Sequence, residues 1–389
     1  MPLYFDYAAT TPLHPKALAA MMPFLEADFA NPSSVYAPAR LARKAIDEAR
    51  LVVAGAVNAR PEEIFFTGSG TEASNWAIKG ILEGQKGRHV ITTAAEHHAT
   101  LYTCRHLEKL GYDITYLPVE VEGFVSPEAV KAAIRPDTAL VSVIFANNEV
   151  GTIQPMAAIG EITREAGVAL HTDAVQAVGH IPIDVDALQI DVLSLSAHKF
   201  YGPKGIGAQY IRKGTRMAPL LHGGAQERGR RAGTENVAGI VGLAAALTVA
   251  TGEMADEFTR LSGLRDRLIN EILTTIPHTR LNGPRNNRLP GNVNVTFDFI
   301  EGESLLLHLD MLGCQASTGS ACSSGALEPS YVLTAMGLSH EEANGAIRFS
   351  LGRDNTADDI DKLMEILPKS VARLRELSPL YDDYIKKQQ

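Results

Sequence analysis

A chain of 389 residues that is 45% hydrophobic and 21% charged has the make-up of an ordinary globular protein, with room for roughly two or three domains. Its 45 acidic residues against 36 basic ones leave a net charge of -9, which argues against a nucleic-acid binder with a basic face. Three cysteines without paired spacing argue against a disulfide framework or a Cys-x-x-Cys zinc site, and favour a reducing compartment.

The opening stretch "MPLYFDYAATTP" lacks the basic and apolar segments of a signal peptide, so a cytoplasmic location is the expectation. From Glu62 to about Tyr210, short β-branched or aromatic runs alternate with helix-like stretches. The runs are "EEIFFTG", "RHVITTA", "DITYLPV", "ALVSVIFAN", "VALHTDA", "DVLSLSA" and "GAQYIR"; helix patterns such as "TEASNWAIKGILEG" and "HATLYTCRHLEKLG" lie between some of them. Such alternation predicts an α/β fold with a mostly parallel sheet covered on both faces, and ligands bind beyond the carboxyl ends of its strands.

Those ends carry the candidate chemistry. "FFTGSGTEASN" runs through Gly68 and Gly70 into a helix near Thr71; it reads either as a phosphate cradle or as a tight turn capped by Thr71. "AAEHHAT" places His97 and His98 at a second end, and "LHTDAVQ" places Asp173 at a third, with His171 on the same face by alternation. "SLSAHKFYGPKG" ends a further strand in Ser196, His198 and Lys199. A lysine directly after an apolar strand suits Schiff-base chemistry, and equally suits a side chain that reaches back to water. His97, His171, Asp173 and His198 match no common zinc spacing, so no metal is expected.

The apolar run from Val237 to Ala250 is too short for a membrane span and predicts a buried helix. After Glu257 the texture changes to a charged helix pattern over 258–275, a Pro/Gly/Asn-rich connection, the strand-like "NVNVTF", and two terminal helix patterns. This predicts a second, smaller α+β unit. The boundaries expected are 15–257 for the large domain, and 1–14 with 258–389 for the small one. Within the small domain, between "NVNVTF" and the terminal helix patterns, "QASTGSACSSGALEPS" sets Cys322 among Gly, Ala, Ser and Thr, with no apolar periodicity to bury its thiol. A phosphate cradle, an Asp able to pair a pyridinium nitrogen and a Lys able to form a Schiff base are together the parts of a pyridoxal phosphate site. Neither G-x-G-x-x-G nor a Walker motif appears.

"FDYAATTP", "TGSGTEASN", "EHH", "NNEVGTIQP", "HTDAVQAVG", "SAHKFYGPKGIGA", "HGGAQERGRRAGTEN", "GSACSSGALEPSYVL" and "IRFSLGR" occur in this order. The chain resembles the cysteine desulfurases of the NifS/IscS type, and the resemblance spans nearly its whole length. It implies an aminotransferase-like pyridoxal-phosphate-dependent fold, with a seven-stranded sheet in the large domain, acting as a homodimer. Lys199 would be the Schiff-base lysine, Asp173 the partner of the pyridinium nitrogen, and His97 a catalytic residue stacked on the ring. Gln176 would meet the ring hydroxyl, and Asn148 would stand beside cofactor and substrate. Gly70, Thr71, Ser196 and His198 would hold the phosphate, and Thr234 would reach the phosphate of the neighbouring subunit. Arg348 would clamp the substrate carboxylate.

Cys322 would be the nucleophile that takes sulfur from L-cysteine as a persulfide, releasing L-alanine; it is also the one expected place for a transient iron–sulfur contact. Sulfur acceptors such as an iron–sulfur scaffold or a tRNA-thiolating enzyme follow as expected partners, with no direct nucleic-acid or membrane contact. A selenocysteine lyase, a class V aminotransferase, or a non-catalytic sulfur-carrier protein are the rival readings. One departure from the family pattern is the pair Ala225 and Gln226, where Gly and His are common.

Overall fold

The structure is a computed structural model that describes residues 3–319 and 329–388. Its strands are β1 (Leu3–Tyr4), β2 (Ile64–Thr67), β3 (His89–Thr93), β4 (Asp113–Leu117), β5 (Thr138–Ser142), β6 (Ala169–Asp173), β7 (Val192–Ser196), β8 (Gly207–Ile211), β9 (Thr279–Leu281), β10 (Asn292–Phe297), β11 (Cys314–Gln315) and β12 (Ala346–Ser350). Its helices are α1 (Pro15–Glu26), α2 (Ala37–Ala56), α3 (Gly70–Gly84), α4 (His98–Lys109), α5 (Pro127–Ala133), α6 (Met156–Ala166), α7 (Val237–Thr275), α8 (Gly302–Met311), α9 (Tyr331–Ala335), α10 (His340–Asn344), α11 (Ala357–Glu376) and α12 (Pro379–Gln388).

The seven expected strand runs become one seven-stranded sheet of order β2-β8-β7-β6-β5-β3-β4. Only β8 runs against its neighbours; the other pairings are parallel. Alternation sends neighbouring side chains to opposite faces. Phe66, Ile91, Val141 and Leu193 join a core with α2, α6 and the first half of α7. Phe65, Val90, Leu140 and Val192 join a second core with Trp76, Ile78 and Ile81 of α3 and Cys104 and Leu107 of α4. Both faces are thus dry, as a mostly parallel sheet requires. At ~25 cal/mol per Å² of apolar area, this two-sided burial is the main term that holds the strand ends in place.

A separate core gathers Phe5, Leu261, Leu268, Val293, Val295, Ile347, Phe349 and Leu363 around the antiparallel sheet β12-β10-β9. "NVNVTF" forms β10 as read, and β1 pairs in parallel with β11 just before the cysteine segment. Two features differ from the expectation. α7 continues unbroken for 39 residues through position 257, because its first half packs on the large core and its second half on the small one. It is long and apolar enough to cross a membrane by length and composition, yet half of its apolar window lies inside the protein. The helix after β2 is capped by Ser69, whose side chain accepts from Glu72 N–H at 3.1 Å; Thr71 lies in its first turn.

Candidate active site

Carboxyl ends of β2, β3, β5, β6 and β7 open into one cavity with about 820 Å³ of space, continuous with solvent. It brings together Gly70, Thr71, His97, Asn148, Asp173, Gln176, Ser196, His198 and Lys199, together with Arg348 from β12. Thr234 is not on this wall; it is exposed on the loop between β8 and α7. Cys322 lies outside the described residues.

The helix start comes unusually close to the sheet. A Cβ at Gly70 would stand 2.7 Å from Val175 Cγ2 and 3.2 Å from Ser196 Cβ, so glycine lets α3 press its first turn against two strand ends. N–H groups of that turn and the helix dipole favour an anion there. Glu72 of the same turn is engaged elsewhere, by Arg231 at 2.8 Å and by Gly68 N–H at 2.8 Å.

Asp173 is buried, and its Oδ1 accepts from Val175 N–H at 3.0 Å. Burial pushes its pKa up, while His97, the Val175 N–H and Lys199 pull the other way. A carboxylate so placed gains most from a facing cationic N–H. His97 caps α4, its Nδ1 accepting from Ala99 N–H at 3.1 Å, which leaves the proton of a neutral ring on Nε2. His198 lies within 3.1 Å of the Thr10 hydroxyl; burial first, then Lys199 and Lys204, lower its pKa to about 4, so it is neutral near pH 7. Lys199 Nζ donates to Ala8 O and Ala9 O at 2.6 and 2.8 Å, and its own carbonyl meets His180 Nε2 at 2.9 Å.

Arg348 enters from the small sheet and is almost wholly buried. Nη1 donates to Asn148 O at 3.0 Å and Nη2 to Asp6 Oδ1 at 2.7 Å. Among the described residues, Arg348 Nε and Asn148 Oδ1 are buried without a hydrogen-bond partner, at a site where such atoms are costly. Together these residues fit pyridoxal phosphate. A helix start closed to any side chain suits the phosphate, Asp173 suits a ring nitrogen, and His97 offers a ring to stack. Lys199 offers an amine, and the two orphaned polar atoms face work still to be done by a ligand.

His171 does not join the group. It sits in the sheet between the hydroxyls of Ser142 and Ser194, at 2.8 and 2.9 Å, and burial lowers its pKa to about 3. Among the described residues no three His, Cys, Asp or Glu side chains are grouped as a metal ion would need. Cys104 and Cys314 are buried, with thiol pKa values pushed up to about 12 by burial. The departing Gln226 has its own local partner, Gly233 N–H at 3.1 Å. The loop is anchored by Glu227, which pairs with buried Arg50 at 2.7 and 2.8 Å from a left-handed backbone.

Sequence reasoning missed Asp6, Ala8, Ala9 and Thr10, which cover Lys199 and hold Arg348 and His198. It also missed Glu96, buried beside His97, which accepts from Ile144 N–H at 2.9 Å and from the Thr93 hydroxyl at 2.8 Å. Desolvation raises its pKa to about 8. A glutamate beside a strand-end histidine was the available signal; for the N-terminal segment the quoted "FDYAATTP" was the signal, but it gave no contact, since its partners lie about 190 residues or more away.

A family model described as Aminotransferase class-V matches residues 3–363. The chain is 55% identical over 388 residues to the cysteine desulfurase IscS of Clostridium botulinum, covering 99% of this chain and 98% of that one. A solved structure described as a NifS-like protein superposes with a TM-score of 0.90 at 37% identity, over 96% of this chain and all of the other. Another, described as SspA in complex with cysteine, gives a TM-score of 0.79 at 39% identity, over 90% and 98%. The class V aminotransferases are generally pyridoxal-phosphate-dependent. With site and likeness in agreement over the whole length, the chain belongs to the class V aminotransferase family, among its cysteine desulfurases of the NifS/IscS type.

Proposed function

We propose that this chain binds pyridoxal phosphate and takes sulfur from L-cysteine onto Cys322, releasing L-alanine and passing the sulfur to an acceptor for iron–sulfur assembly or tRNA thiolation. The observation that carries this reading is the convergence of Lys199, Asp173, His97 and the Gly70 helix start on one cavity into which Arg348 also reaches. Residues 15–257 supply the cofactor wall, and 1–14 with 258–389 supply Arg348 and the cysteine.

Bound here, pyridoxal phosphate supplies an electron sink for an amino acid's Cα. Asp173 would keep a proton on the ring nitrogen, since a buried carboxylate gains most from a facing cation. Gly70, Thr71, Ser196 and His198 would hold the phosphate, His97 would stack on the ring and Gln176 would meet its hydroxyl. Thr234, exposed in one chain, reaches the phosphate of a neighbouring copy.

Arg348 takes the substrate carboxylate. Its free Nε edge and its partner Asn148 orient the amino acid, and Asp6 keeps the guanidinium from turning away. Lys199 then moves a proton from Cα through Nζ. The Cys322 thiolate attacks the substrate sulfur; a sulfur–sulfur bond forms as the carbon–sulfur bond breaks. One cysteine and one thiol become one alanine and one persulfide, so no outside oxidant enters.

Apolar side chains left open on residues 18–36 support a homodimer: Leu25, Phe29 and Val35 are 57%, 78% and 87% exposed, and Leu18 and Met22 are exposed as well. L-Cysteine without any 2-oxo acid is the discriminating substrate. Equal amounts of alanine and transferable sulfur are expected over many turnovers; at most one thiol-bearing 2-oxo acid per bound cofactor, no alanine, and turnover only once a 2-oxo acid is added would establish the aminotransferase reading instead.

A further inference from the structure

The turn that carries Asn148 is tied in more directions than substrate binding needs. Asn147 Oδ1 accepts from Glu149 and Val150 N–H at 2.8 and 3.0 Å, and its Nδ2 donates to Ala95 O at 2.9 Å. Glu149 O accepts from Asn292 and Asn294 Nδ2 at 3.0 and 3.1 Å, which binds the turn to β10 of the small sheet. The Glu149 side chain is buried, yet it does not line the cofactor cavity. A buried carboxylate is costly unless it is used.

Its contacts are on the two stems of the cysteine segment. Oε2 accepts from the Ser330 hydroxyl, and the Gly319 backbone passes so close that a Cβ there would lie 2.7 Å from the same oxygen. Gly319 also sits at φ +117, where an L side chain would be strained. Gly319 and Ser330 therefore close on one carboxylate oxygen, with Cys322 between them in sequence. On one side Ser317 pairs with Arg348 through both backbone groups, at 2.6 and 3.1 Å, so that stem is secured as far as Ser317. On the other, Ser330 caps α9, whose Val332 and Leu333 pack with Val150 and Ala95, and Tyr331 donates to Glu96 O at 2.6 Å. Among the described residues, the Glu149 side chain lies against both, bonding Ser330 and touching the Gly319 backbone.

We propose that Glu149 is a positioning residue for sulfur transfer: by accepting from Ser330 against the Gly319 backbone, beside Asn148, it fixes the two described ends of the segment that carries Cys322 in sequence. This rests on the desulfurase reading above. Glu149 does not line the cavity, although its charge is felt by Arg348 and His97, so its loss should slow the step that uses Cys322 more than it changes cofactor or substrate binding.

The test uses the holoenzyme with L-cysteine and reads alanine formation, KM and cofactor absorbance. Glu149→Ala is expected to lower kcat by about tenfold or more, the scale for a reacting group displaced by a fraction of an ångström, with smaller changes in KM and absorbance. Glu149→Gln, which keeps an acceptor and the volume, should restore most of the rate. Ser330→Ala should slow the parent several-fold and add little on top of Glu149→Ala, as expected for partners in one contact. A parental kcat in Glu149→Ala, or additive losses in the double variant, would overturn the proposal. Loss of kcat together with an equally large change in KM and absorbance, not rescued by Gln, would also overturn it, since that is the mark of a general structural role. If Glu149→Ala does not fold, Ser330→Ala and Gly319→Ala decide, and parental rates in both reject it. Failure of the desulfurase reading looks different: the parent itself makes no alanine.

Discussion

On the sheet side of the active site, each functional group stands within a few residues of the strand that delivers it: Gly70 after β2, His97 after β3, Asp173 at the tip of β6, Ser196 to Lys199 at the tip of β7. On the small-sheet side nothing is local. Arg348 is held by Asp6, 342 residues away in sequence, and Glu149 meets Ser330 across 181. The first wall is preformed by a core buried on both faces, and the second by a few long-range polar ties between two cores. Changes on the sheet side should therefore strike the chemistry outright, whereas changes on the other side should strike the fit of substrate and thiol.

Lys199→Ala gives the largest effect. Turnover of cysteine should fall by roughly three orders of magnitude or more even with added pyridoxal phosphate, because no other amine on the sheet wall can move the Cα proton. Alanine production near the parental rate would break the assignment. Asp173→Ala should follow, with proton exchange at Cα slowed by about 10²–10³-fold, the scale for losing a preorganised charge. Arg348→Lys crosses to the other wall. A lysine cannot reproduce a planar fork, so KM for L-cysteine should rise by about ten- to a hundredfold with a smaller change in kcat. Asp6→Asn should move KM the same way by a lesser factor; a larger fall in kcat than rise in KM in either variant would erase the contrast between the walls.

The smallest effect concerns stability beneath the sheet wall. Glu96 has its pKa raised to about 8 from an ordinary 4.5, so the folded protein holds a proton that the unfolded chain releases. Its contribution is complete below about 4.5 and is lost as pH rises through 8. Glu96→Gln removes that titration and should flatten the fall in Tm over this window. An unchanged slope would show that Glu96 is ionised in place.

The seven strands were legible because each is a short β-branched or aromatic run set off from longer helix patterns or turns, and that local order survives folding. Gly70, Asp173 and Lys199 were legible for the same reason. His171 was misleading as a ligand candidate, because alternation places it on Asp173's face without revealing the two serines that flank it one layer down. α7 hid the link between the cores, since its apolar and charged halves read as separate helices. Asp6 and Glu149 were illegible in principle. Nothing near either residue in the sequence announces a partner that only the packing of the small sheet against the large one brings within reach.

The account turns on where sulfur goes. Mass spectrometry of the protein after a short incubation with L-cysteine should find one added sulfur, on the peptide containing Cys322 and not on buried Cys104 or Cys314. Cys322→Ser should keep the cofactor absorbance and lose both that sulfur and alanine. Alanine formed at the parental rate by Cys322→Ser, with no sulfur retained on the protein, would contradict the account and leave a lyase in its place.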